Sequence, residues 1–147
     1  MVFTHRRGRI KGRSLPSSKT VEQIVHTVFR AERRPLRGDF NVIFVDSATI
    51  KKLNRQYLGH RGTTDVIAFS YDADAMNFDV IFGEVYISIP EARLNARRHS
   101  VAFAEEVLRL VIHGTLHLLG YDDHAPRDRK RMWSRQEKLV QRIRAWI

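Results

Sequence analysis

The sequence predicts an α+β domain in which one sheet is covered by helices, with its most apolar helix buried at the centre. Two observations on the chain as a whole point there. At 147 residues and 43% hydrophobic content, the chain fits a single domain spanning residues 1–147 and leaves no room for a second. Its apolar periodicity runs strand, helix, strand, helix, two strands, three helices. A third observation is local: from about Ala102 to Leu119, Val107, Leu108, Leu110, Val111, Leu116 and Leu118 wrap much of the helix circumference, as in a helix without a solvent face.

The elements follow in order. Val2 to Ile10 is a basic opening segment read as a short edge strand, followed by a Gly/Ser/Pro loop to near Ser18. Thr20 with Gln23 resembles a capping box, and Val21, Ile24, Val25, Val28 and Phe29 make one apolar face of a helix to about Arg34, stopped by Pro35 and Gly38. Phe40 to Val45 is β-branched and aromatic, the pattern of a buried strand. Ser47 is positioned to cap a helix carrying Ile50, Leu53 and Tyr57, closed by Gly59. Thr64 to Tyr71 and Val80 to Ile89 read as strands on either side of an acidic loop with Asp72, Asp74 and Asp79. Pro90 opens a short basic helix to about His99, and Pro126 opens the last helix, with Met132, Leu139, Val140 and Ile143 on one face and Arg and Lys on the other.

The buried helix carries His113-Gly-Thr-Leu-His117, followed by Gly120 and then Asp123 and His124. Residues at i and i+4 lie on one helix face with Cβ atoms about 5–6 Å apart, so both imidazoles reach one ion at about 2.0–2.1 Å. Gly120 takes the left-handed conformation that ends a helix and turns the chain back over its last turn, bringing Asp123 or His124 to the same ion. Three nitrogen and oxygen ligands leave a fourth tetrahedral position for water, the arrangement of a catalytic zinc. Two histidines in a buried helix are also costly unless paired or ligated. The chain has no cysteine, so thiolate ligation and disulfides are excluded.

Zinc peptidases with H-E-x-x-H place a general-base glutamate directly after the first histidine. Here that residue is Gly114, and Glu84, Glu105 and Glu106 stand at the wrong spacing to replace it. A metallopeptidase is therefore the weaker alternative, while polarisation of a phosphoryl oxygen needs no carboxylate.

The formal net charge is +10 and is unevenly spread. Residues 1–37 carry +8 and residues 127–147 carry +6, around a middle of −4. Basic ends around a metal-binding centre suit a polyanion such as RNA, although acidic proteins and anionic membranes respond to the same charge. No apolar run approaches the ~20 residues that span a bilayer, and the basic N-terminus lacks a following apolar stretch, so a soluble cytoplasmic protein is expected. No small-molecule organic cofactor is expected.

With these residues in hand, HGTLHLLGYDDH resembles the hallmark H-G-x-L-H-L-x-G-Y-D-H of the YbeY family of metal-dependent endoribonucleases. LNRQYLGHRGTTDVIAFSY, from Leu53 to Tyr71, is similar to a second family segment, L-N-x-x-Y-R-x-x-x-x-T-D-V-L-S-F, and GEVYIS from Gly83 also fits. The resemblance covers about the last two thirds of the chain. It implies a zincin-like fold with a mixed four-stranded sheet, one Zn2+ per chain, and a cytoplasmic enzyme that cuts single-stranded RNA. The implied roles are ribosomal RNA maturation at the 16S rRNA 3′ end and ribosome quality control, with ribosomal RNA or ribosomal subunits as partners.

Carried over residue by residue, His113 and His117 match the first two ligands, and Asp123 stands where the family has a third histidine, with His124 one residue later as the alternative. An aspartate ligand makes the ion a weaker Lewis acid than a third imidazole would. The family arginine after the tyrosine is Leu58 here, and Arg61, His60 or Arg55 are nearby substitutes for a phosphate contact, Arg61 being the candidate retained. Thr64 and Asp65 either shape the strand beside the cleft or cap it locally. Loss of that arginine supports a rival reading, an RNA-binding ribosome-assembly factor whose metal is mainly structural.

Overall fold

Period-two alternation in the strands decides how the layers assemble. In the computed structural model, which describes residues 1–10, 15–70 and 83–146, Val42 and Phe44 enter one core cluster while Ile43 and Val45 enter another on the opposite sheet face. The elements are β1 (Val2–Arg7), α1 (Ser18–Ala31), β2 (Phe40–Val45), α2 (Ser47–Leu58), β3 (Val66–Ser70), β4 (Gly83–Ser88), α3 (Ile89–Arg98), α4 (Phe103–Leu118) and α5 (Pro126–Ile143), followed by a 3-10 turn at Arg144–Trp146. The strands form one mixed sheet in the order β1-β2-β4-β3, with β1, β2 and β4 parallel and β3 antiparallel to β4. The α+β class and the four-stranded mixed sheet agree with expectation.

The larger cluster joins Phe40, Val85 and Ile87 of the sheet to Val25, Val28 and Phe29 of α1 and to the apolar face of α4. The smaller one packs Ile50 of α2 against Ile43, Val45, Ile67 and Tyr86. Helix α4 packs on β3 and β4 of the sheet and on α1, α3 and α5, so the histidines sit on a helix held by the sheet and three helices.

Some local readings are corrected. The N-cap of α1 is Ser17, whose side chain accepts from the Thr20 backbone N–H, so Thr20 lies inside the first turn rather than capping it. Asp46, not Ser47, caps α2 by accepting from Thr49 N. The Asp46 carboxylate also accepts from Arg9 N at 2.9 Å, which ties the chain after β1 to the start of α2 and ends the strand at Arg7, short of Ile10. Those hydrogen bonds, that of the Thr49 side chain first, hold the Asp46 carboxyl below its ordinary value. The acidic loop with Asp72, Asp74 and Asp79, and the strand ends read at Tyr71 and Val80, lie outside the described residues. Among the described residues no helix is long and apolar enough to cross a membrane.

Candidate metal centre

Helix α4 ends in a Schellman motif. Gly120, at φ 100°, follows the C-cap Leu119; its N–H donates to the His117 carbonyl and that of Tyr121 to the Leu116 carbonyl. This turn sends the chain back across the last helical turn. Asp123 Oδ2 thereby comes to 3.4 Å from His117 Nε2 and 3.8 Å from His113 Nε2, while the two Nε2 atoms are 3.0 Å apart. One ligand-type atom from each of the three residues lies within 4.8 Å of the others.

The tautomers follow from the hydrogen bonds. Gln136 of α5 donates through Nε2 to the Glu137 carboxylate at 3.1 Å, which turns its Oε1 toward His113 Nδ1 at 2.7 Å. An amide oxygen only accepts, so His113 Nδ1 carries the proton. His117 Nδ1 faces the Tyr121 carbonyl at 3.1 Å and is a donor by the same reasoning. Burial, opposed by the Gln136 hydrogen bond, holds the His113 pKa below its ordinary value and keeps the ring neutral near pH 7.

The Nε2 atoms of both rings and a carboxylate oxygen thus converge on one point. Donors about 2.0–2.2 Å from a tetrahedral zinc lie about 3.3–3.5 Å from one another. The separations of 3.0, 3.4 and 3.8 Å bracket that spacing, so this donor set fits such an ion.

The two alternatives for the third position separate in the structure. Asp123 is half-buried beside the imidazoles, whereas the His124 side chain is 91% exposed and its Nε2 lies 3.7 Å from Asp122 Oδ1. His124 joins only a second, mostly exposed group with Asp122 and Asp123. Arg61 lies on the exposed loop between α2 and β3 and makes no ion pair with the described residues; Arg55 and His60 are likewise exposed. Leu58 is 48% exposed at the end of α2. Asp65, at the entry to β3, accepts from Asn95 Nδ2 of α3 at 3.1 Å and gives its backbone carbonyl to Ser88 N.

Gly114 also has a packing role. A Cβ placed there would meet Val85 Cγ1 at 2.4 Å and Val85 Cβ at 3.3 Å, so no side chain fits between α4 and β4. The three glutamates weighed as peptidase bases are placed elsewhere. Glu84 shares a sheet face with Tyr86, away from α4, and Glu105 and Glu106 bind Arg109.

Sequence reading missed the residues that hold the site. Gln136 was visible as a polar residue in an apolar stripe, buried between Met132 and Leu139. Glu32, the C-cap of α1, accepts from the Tyr121 hydroxyl at 2.8 Å and pairs with Arg135 of α5, fixing the loop that carries Asp123; nothing local in the sequence signals that contact.

Two histidines on a buried helix and one carboxylate on the turn after it, with each Nδ1 facing an acceptor, define a candidate metal-site class on an α+β scaffold. The model of the endoribonuclease YbeY family matches residues 5–144. Curated proteins named endoribonuclease YbeY are similar over most of the chain. That of Chlorobium luteolum is 37% identical, over 81% of this chain and 83% of its own, and that of Flavobacterium psychrophilum is 40% identical, over 79% of each. The solution structure of TM1509 from Thermotoga maritima superposes with a TM-score of 0.64 at 31% identity, covering 97% of this chain and 89% of that one. The chain belongs to the endoribonuclease YbeY family, whose name is that of a hydrolytic nuclease.

Proposed function

We propose that residues 1–147 form one zinc-dependent endoribonuclease domain that cuts single-stranded RNA, with His113, His117 and Asp123 holding one Zn2+. The convergence of three ligand-type atoms, one each from His113, His117 and Asp123, within 4.8 Å carries the reading. When bound, the ion supplies Lewis acidity to a phosphoryl oxygen and lowers the pKa of a water towards ~7. The protein's own part is to fix the ligands: Gln136 and the Tyr121 carbonyl set both tautomers, and the Schellman turn delivers the carboxylate. Asp123 moderates the charge at the ion compared with a third neutral imidazole. Arg61, exposed on the loop that runs into Asp65, is the candidate for the phosphate contact that Leu58 cannot make.

Family membership supports ribosomal RNA as the substrate, with processing at the 16S rRNA 3′ end, ribosome quality control and a cytoplasmic setting as the biological assignment. The basic ends supply the sequence-independent attraction to the RNA backbone. Incubation of the zinc-loaded protein with a 16S precursor carrying an extended 3′ end, beside a duplex of the same sequence, tests this. We expect cleavage of the single strand alone, abolished by chelation. Equal cutting of duplex and single strand, or cutting that survives complete removal of metal, would contradict it.

Leu58 favours a second reading, an RNA-binding ribosome-assembly factor with a mainly structural metal. Its signature is salt-sensitive RNA affinity in His113→Ala, still folded, with no cleavage by that variant or by the parent.

A further inference from the structure

A cavity of about 330 Å³ opens beside the metal centre, between α3, α4 and α5 at the entry to β3, and His113 belongs to both. Its volume is at the small end of the roughly 300–1,000 Å³ range of small-ligand sites, which suits one flat group rather than a length of chain. Trp133 lines it and is 56% exposed, a large aromatic left open to solvent although its neighbour Met132 is fully buried. It shares a face of α5 with Gln136 and Glu137, three and four residues on. The indole therefore stands on the same side of the helix as the residue that orients His113.

The charges argue against a phosphate in this cavity. Arg109 is its guanidinium, and it is already engaged with Glu137 and Glu106 at 2.9 Å and with Glu105 at 3.4 Å. Asp65 also lines it, with its backbone held by the sheet through Ser88, and Asn95 takes only one of the roughly four acceptor sites of its carboxylate. The cavity thus offers an aromatic surface and a spare acceptor, and it repels anions. A nucleobase is neutral, flat and edged with N–H donors. Proteins that read single-stranded RNA stack splayed bases on aromatic side chains and bond to their edges.

We propose, resting on the reading of RNA as the substrate, that this cavity is a nucleobase pocket in which the base beside the scissile phosphate stacks on Trp133 and is read by Asp65. A carboxylate accepts from the paired N1–H and amino group of guanine and from the amino groups of cytosine and adenine, whereas uracil offers a single N3–H set between two carbonyl oxygens that the carboxylate repels. Cleavage should therefore favour guanine, cytosine or adenine over uracil at the flanking position.

The test uses zinc-loaded protein and a single-stranded RNA of randomised sequence, with cut sites mapped and bound zinc measured for each variant. We expect Trp133→Ala to lower kcat/KM about 5- to 150-fold, the range of base–aromatic stacking, with zinc content unchanged and most activity restored in Trp133→Phe. Asp65→Asn should flatten the discrimination against uracil. In a Trp146→Phe background, where Trp133 is the sole tryptophan, cytidine should quench its emission at lower concentration than uridine. RNA cleavage by Trp133→Ala at the parental rate, or no base preference in the parent, would overturn the pocket and leave the nuclease reading standing. No cleavage of any RNA by the zinc-loaded parent would overturn both.

Discussion

On α5, Gln136 occupies a position in a stripe otherwise filled by Met132, Leu139, Val140 and Ile143, and a buried amide there needs partners on both sides. It finds them in Glu137 and His113, and so fixes which nitrogen of His113 is free. Partners of this kind are worth 10- to 100-fold in metal affinity, so we expect Gln136→Leu to weaken zinc binding about 10- to 100-fold in a competition titration. An unchanged zinc affinity in a folded variant would remove Gln136 from the site. The His113 ring carries a second consequence. Its folded-state pKa is lowered by burial, so the unfolded chain binds more protons, and stability of the metal-free protein falls as pH drops from about 6.5 towards the folded value. Urea midpoints of metal-free protein between pH 7 and pH 5 should decline, and the decline should be shallower in His113→Asn. His113, His117 and Asp123 were legible from spacing and a helix-ending glycine. Asp123 was preferred over His124 by register alone; which side chain turns inward and which is left in solvent depends on the backbone after Gly120, which spacing does not give.

Among the elements, α4 and β4 meet more closely than any side chain would allow. The glycine after His113 reads in the sequence as a missing general base, and the structure adds that Val85 occupies the space a side chain would need. Gly114→Ala gains about 1 kcal/mol of helix propensity but forces an overpacking that costs roughly 1–3 kcal/mol, more where a β-branched neighbour resists movement. We expect a net loss of up to about 2 kcal/mol in denaturant unfolding. Val85→Ala in the same chain should recover part of it; no recovery would place the strain elsewhere. Helices and strands were legible wherever apolar periodicity coincided with a stop, as at Gly59, or a start, as at Pro126. The caps were displaced by one to three residues because Ser17 and Asp46 compete with nearby Thr20 and Ser47, and only backbone geometry selects between them.

Across the molecule, the strand order β1-β2-β4-β3 puts the basic opening strand on the edge opposite β3. At about 4.8 Å per strand the two edges are about 14 Å apart, so the N-terminal charge acts on RNA at a distance from the histidines. The other basic end is closer. Helix α5 packs on α4, and the Arg131 guanidinium carbon lies 5.7 Å from the ring centroid of Tyr121, beside the loop that carries Asp123. If these ends hold about four phosphates, log K for single-stranded RNA should fall against log salt with a slope of about −3. A slope near zero would remove the basic ends from the interaction. Charge distribution was readable by counting. The insertion of β4 between β2 and β3 was not, since pairing between strands distant in sequence leaves no local trace in either.

The most direct test joins metal content to catalysis: cleavage of a generic single-stranded RNA by zinc-loaded protein, by chelated protein and by His117→Ala, with zinc quantified on each sample. We expect one zinc per chain in the parent, cleavage in proportion to it, and loss of both in the variant. One tightly bound zinc without cleavage, or cleavage by a folded His117→Ala protein free of metal, would contradict a catalytic metal centre on α4.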